Sequence, residues 1–291
     1  MTERREAFCS ETSLVNAEPL VGTASRVDHL ILVEYRGLWG YEALPASGLS
    51  DEVKRRLREQ CDARSNTKLL FVRRPHRREH PALAVFWGNS PARGGELFHA
   101  DLERYDDLLG LDLTGRGAAL DHPLLLVCTH GKHDRCCARY GRPLYQALEE
   151  QAEDGWVWQA SHLGGDRFAG NVVFLPDGLY FGRVAPADAW SVLDEDLAGR
   201  IKLDHYRGRS AYTFAEQAAE IEVRHTTGLR GLDDLELVRH EGADLRFRAG
   251  SRVFDVRVAY EPGELTYLTC TTEALRHPRH YAAEILRESA A

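Results

Sequence analysis

Apolar residues along this chain fall into short runs of two kinds. VDHLILVEY (27–35), KLLFVRRP (68–75) and ALAVFWGN (82–89) are compact runs bounded by turn residues, the pattern of strands. SDEVKRRLREQC (50–61) instead spaces Val53, Leu57 and Cys61 at helical intervals, with Ser50 suited to the N-cap and Asp51 and Glu52 to the first turn. The order strand, helix, strand, strand recurs from residue 119. PLLLVCTH is a continuous apolar strand, RPLYQALEEQAE a helix entered at Pro143, and GWVWQASH, NVVFLPDG and LYFGRVA are strands with a PDG turn at 176–178. A helix over 188–201 follows, with Trp190, Leu193, Leu197 and Ile201 on one face. The recurrence predicts a degenerate internal repeat, with GRGAAL (115–120) as the linker between its copies. Beyond residue 204, HYRGRSAYTF leads into a helix through residue 227, then strands near 235–240, 244–249 and 252–260, and a short helix near 280–288. The five tryptophans, at 39, 87, 156, 158 and 190, flank these elements and are expected in the core.

With 291 residues, 43% of them hydrophobic, the chain has ample material for a buried core. A net charge of -8 argues against general affinity for nucleic acid or anionic lipid. Lysine supplies only four of the 37 basic residues, a skew that suggests a high-GC bacterial source. No apolar run approaches the roughly 20 residues of a membrane span, and MTERREAFCSETS lacks the apolar stretch of a secretory signal, so a cytoplasmic location is expected. In that reducing setting the six cysteines (9, 61, 128, 136, 137 and 270) are expected as free thiols or metal ligands rather than disulfides.

Four of the chain's metal-liganding residues stand out. Cys128 and Cys137 lie in LLLVCTHGKHDRCCARYGRPL, and His162 and Asp166 in WQASHLGGDRFAGN. Soft thiolates with imidazole and carboxylate suit iron. Cys128 ends a strand and Cys137 precedes the helix expected near Arg142, where free N–H groups favour thiolate. Gly164 and Gly165 let the second loop approach a cofactor closely. Cys136, His130, Cys9 and Cys270 are alternatives for the fourth position, and Asp166 could instead orient His162. A Rieske centre would need a C-x-x-H that this chain lacks, whereas tetrahedral zinc is compatible with the same donors. Arg167 could neutralise the centre's charge, meet an acidic partner or pair with a nearby carboxylate. Lys132, His133 and Arg135 could form a basic rim. His122, His133, His205 and His225 are otherwise read as surface or turn residues. Neither a P-loop nor a G-x-G-x-x-G motif occurs.

CTHGKHDRCC, followed by GRPL and then HLGGDRFAGN, resembles the sucrase/ferredoxin-like family of thioredoxin-like ferredoxins, strongly over 119–185 and more weakly through EPLVGTA and YRGRS. The family pattern holds a [2Fe-2S] cluster with Cys-x8-Cys and His-x-Gly-Gly-His. The resemblance implies Cys128 and Cys137 on one iron and His162 on the other. This chain departs at the fourth ligand, where Asp166 stands for the family's histidine. The fold implied is α/β: tandem thioredoxin-like units over 1–118 and 119–203, the second binding the cluster, and a C-terminal α+β antiparallel extension over 204–291. Paired carboxylates for glycoside hydrolysis are absent, so sucrase activity is not expected. The function implied is electron transfer between a reductase and an acceptor enzyme. A redox enzyme or sensor with a labile iron, and a zinc-binding interaction module, are the alternatives.

Overall fold

The structure is a computed structural model that describes residues 7–290. A short helix α1 (Cys9–Val15) precedes β1 (His29–Glu34), α2 (Asp51–Asp62), β2 (Thr67–Arg73), β3 (Leu83–Asn89), β4 (Glu96–Leu102) and β5 (Ala118–Ala119). The middle of the chain holds β6 (Leu124–Cys128), α3 (Arg135–Glu149), β7 (Val157–Ala160), β8 (Val172–Leu175), β9 (Leu179–Phe181), α4 (Ala189–Leu197) and β10 (Tyr206–Arg209). Then come α5 (Phe214–Thr227), β11 (Glu236–Glu241), β12 (Asp244–Ala249), β13 (Arg252–Pro262) and β14 (Arg279–Ala290).

Ten strands form one mixed sheet in the order β10-β9-β8-β6-β7-β2-β1-β3-β4-β5. In the first half β1 and β2 run parallel around α2, with β3 and β4 added antiparallel. In the second, β6 and β7 run parallel around α3, with β8 and β9 added antiparallel. The halves join where β2 pairs antiparallel with β7, Val72 opposite Ala160 and Arg73 opposite Gln159. Side chains such as Leu30, Leu32, Leu70 and Val72 share one core cluster with Leu124, Leu126, Trp158 and Val173. The opposite face is covered by α2 over the first half and by α3 and α4 over the second. Burial on both faces explains why β6 reads as an unbroken apolar run. The remaining strands make an antiparallel sheet, β11-β12-β13-β14, packed on α5.

Several elements differ from their sequence patterns. The helix expected at Arg142 begins at Arg135, because Asp134 caps it by accepting from the Cys136 amide at 2.8 Å; Pro143 lies inside it on an exposed face. In α4 the buried face is Ala189, Val192 and Leu193, while Trp190 and Leu197 are each 52% exposed, so the expected stripe and a core role for Trp190 are both corrected. GRGAAL is more than a linker, since Ala118 and Ala119 pair with β4. The segment near 280–288 is a strand. Its Ala, Glu, Leu and Arg residues favour helix, but pairing with β13 from Pro262 to Arg252 overrides that preference and packs Tyr281, Ala283 and Ile285 against the core under α5. Among the described residues, no helix is long and apolar enough to cross a membrane.

Candidate metal centre

Alternation along β6 decides where Cys128 points. Leu124, Leu126 and Cys128 face the core shared by both halves, and Leu125 and Val127 face α3 and α4. Gly141 lets α3 press onto the end of this strand: a Cβ there would stand 1.9 Å from the Cys128 carbonyl oxygen. That approach puts Cys137, in the first turn of α3, beside Cys128. The loop after β7 brings His162. Gly164 and Gly165 turn this loop with φ of 103° and 80°, left-handed values that favour glycine.

Ligand atoms of Cys128, Cys137 and His162 all lie within 4.8 Å of one another. Asp166 is the fourth member of the pocket: its Oδ1 is 2.9 Å from His162 Nδ1 and accepts from the Cys137 thiol at 3.1 Å. Both thiols and the carboxylate are buried, while the His162 side chain is 28% exposed. Hydrogen bonds from Cys137 and His162 hold Cys128 well below the usual thiol range, against burial, so it is the thiolate of the pair; Cys137 is pushed up by Cys128 and by burial. Burial alone would lower the His162 pKa, but Asp166 and Cys128 outweigh it and raise the value to about 9. Burial likewise opposes ionisation of Asp166, yet His162 and Cys137 hold its carboxyl below the usual range.

Three residues of this neighbourhood were not singled out as site residues in the sequence. His133, read as a rim or turn residue, stacks on His162 with ring centroids 3.8 Å apart, and its Nε2 is 3.9 Å from Asp166 Oδ2. Lys68 is half-buried behind the pocket and donates to the Leu163 carbonyl, and desolvation lowers its pKa to about 8. Arg207, 1% exposed, donates to Gly164 O at 3.0 Å, Asn171 Oδ1 at 2.8 Å and Thr23 O at 2.6 Å. A buried guanidinium and a half-buried ammonium therefore back a pocket of thiolate and carboxylate, an arrangement that favours an anionic occupant. The only sequence signal for Arg207 was the YRGRS segment.

The other candidates lie elsewhere. Arg167 pairs with buried Glu18 at 2.5 Å. His130 turns Nε2 to the Gly40 carbonyl at 2.6 Å and belongs to none of the close donor groups among the described residues. Cys136, Cys9 and Cys270 gather in a group of their own with Asp134. Cys61 is half-buried against the core under α2. All six cysteines are free.

Curated relatives are yeast proteins named "Altered inheritance of mitochondria protein 32". The chain is 36% identical to that of Meyerozyma guilliermondii over 95 residues, 29% of this chain and 34% of the relative. It is 31% identical to that of Eremothecium gossypii over 107 residues, 32% of this chain and 34% of the relative. The chain thus spans about a third of the length of the curated relatives it matches. A solved thioredoxin-like [2Fe-2S] ferredoxin from Aquifex aeolicus matches 31% of this chain and 94% of its own, at 21% identity and a TM-score of 0.27. The relatives correct two expectations: they are fungal rather than bacterial, and their name speaks of mitochondrial inheritance and not of electron transfer, so the reading as an electron carrier falls. The sucrase/ferredoxin-like family model matches residues 20–208, most of the chain, and the chain belongs to that family.

Proposed function

We propose that this protein binds a [2Fe-2S] cluster between the end of β6, the first turn of α3 and the loop 162–166. One observation carries the reading: two buried thiols and an imidazole converge within 4.8 Å in front of the buried Arg207 and the half-buried Lys68. The donor chemistry fits, since soft sulfur and imidazole suit cluster iron and the cations offset the charge of an anionic centre. Cys128 and Cys137 would hold one iron and His162 the other, with Asp166 as fourth donor. Gly164 and Gly165 would bring backbone close to the cluster, and Arg167, fixed to Glu18, would steady the loop. When bound, such a cluster supplies a coloured iron–sulfur centre. The stacking of His133 on His162 favours a second reading of the fourth position, with His133 as donor and Asp166 orienting His162.

We further propose that 1–118 and 119–203 are copies of one thioredoxin-like unit, with donors only in the second, and that 204–291 is an extension. Support comes from the shared order of a parallel strand pair around one helix and two added antiparallel strands. Six free thiols suit a reducing compartment such as the cytoplasm.

Anaerobic purification with iron and acid-labile sulfide analysis tests the cluster. About two of each per chain are expected in the wild type, with a loss of at least tenfold in Cys128→Ala. Colourless, sulfide-free protein would overturn the reading. Spectra of Asp166→Ala and His133→Ala then identify the fourth donor by which variant perturbs the cluster.

A further inference from the structure

Cys136 and Cys137 are neighbours in sequence but face different surroundings. Cys137 turns to Cys128, whereas Cys136 packs with Cys9 and, partly, Cys270. Three distant segments meet here: α1 contributes Cys9, the first turn of α3 contributes Cys136, and the connection between β13 and β14 contributes Cys270. The Cys136 sulfur is 3.5 Å from that of Cys9 and 3.3 Å from that of Cys270. A carboxylate oxygen of Asp134 lies 3.7 Å from the Cys9 sulfur, and one ligand atom from each of the four residues falls within 4.8 Å of the others.

We propose that Cys9, Cys136, Cys270 and Asp134 form a second metal site that holds a single zinc ion as a structural staple. Tetrahedral zinc with Zn–S bonds near 2.3 Å separates its sulfurs by about 3.8 Å, so the observed thiols need only small outward shifts to take the ion. Three thiols cannot all be satisfied by disulfides, and none is formed. Asp134 is already aimed by the backbone it caps, accepting from the Cys136 amide at 2.8 Å and the Cys270 amide at 2.6 Å. Asp134, Cys9 and Cys136 are fully buried, which suits a closed site without an open position for substrate. Binding releases the protons of whichever thiols are still protonated and transfers no electron. The charge of three thiolates and a carboxylate on zinc is met by the α3 N-terminus and by Arg135, which hydrogen-bonds Cys270. The staple also has a purpose: the stretch 263–278 between β13 and β14 contains no regular strand, and Cys270 ties it to the body of the protein.

The test uses the full chain carrying Cys128→Ala and Cys137→Ala, which empties the first pocket of thiols. Loaded with Zn2+ and desalted, it is expected to keep about one zinc per chain by elemental analysis. Co2+ in its place should give intense visible bands and the charge-transfer absorption of a tetrahedral thiolate site. Adding Cys9→Ser and Cys270→Ser should lower Zn2+ affinity at least a hundredfold, while Cys9→Ser with Cys270→Ser in the otherwise native chain should leave iron and sulfide unchanged. Failure of the first variant to bind zinc, or retention of zinc after loss of Cys9 and Cys270, would overturn the site. Should the combined variant fail to fold, the cobalt spectrum of the first variant decides: weak octahedral bands refute the proposal, and tetrahedral thiolate bands support it.

Discussion

Arg207 is a fully buried guanidinium whose donors are spent on Thr23, Gly164 and Asn171, while Asn171 in turn donates to Gly165 O at 2.8 Å. Its removal orphans several carbonyls at once and frees the loop that carries His162. Arg207→Leu is expected to cost about 3–5 kcal/mol in chemical denaturation and to lower the iron content of the protein in parallel. Asp196 offers a residue-scale test away from the candidate metal centres. Burial, with the negative charge of Asp177 nearby, raises its pKa to about 7, and its Oδ1 has no hydrogen-bond partner. Because the folded chain holds that proton more tightly than the unfolded one, stability falls as pH rises from about 4 through 7. Asp196→Asn should therefore match the wild type in thermal melts at the acid end of that window and exceed it at pH 8 by on the order of 2 kcal/mol. The gathering of Cys128, Cys137, His162 and Asp166 was legible in the sequence because the members of each pair lie fewer than about ten residues apart, flanking a turn. Lys68, Arg207 and His133 were not, since nothing local distinguishes a cation that will be drawn in behind a pocket or a histidine that will stack across to another loop.

At the scale of elements, α3 against β6 is the contact on which the centre depends. Gly141→Ala would drive a methyl into the Cys128 carbonyl, and because that obstacle is backbone, relief requires moving the helix. A loss of about 2–4 kcal/mol and a weakened hold on iron are expected, measurable by denaturation and by iron analysis of the same sample. The strands and the Ser50-capped α2 followed from hydrophobic period, and Ser50 does accept from the Val53 amide. The start of α3 escaped because Pro143 resembles a first-turn proline while Asp134, the actual cap, sits in a polar run without hydrophobic period. β14 escaped because its partner β13 lies across the stretch 263–278, so the pairing that stabilises it has no local trace.

Across the whole molecule, Glu220 ties α5, the helix on which the small sheet packs, to β10 of the large sheet. Its carboxylate, 1% exposed, lies 3.1 Å from the Arg224 guanidinium, 3.3 Å from Arg209 of β10 and 3.1 Å from the Tyr206 hydroxyl. Glu220→Gln would leave two buried arginines without their counter-charge; a loss of about 3–5 kcal/mol in urea denaturation is expected, and a near-silent substitution would refute this role. The seam at Val72 and Ala160 has a different consequence. The donors of the candidate cluster all come from the second half of the large sheet, yet that half borrows a neighbouring strand and much of its apolar interior from the first. Cut out by itself, a fragment of residues 119–203 would bare a raw strand edge and a wall of leucines to water, so the smallest piece that carries the liganding residues should clump rather than stay dispersed.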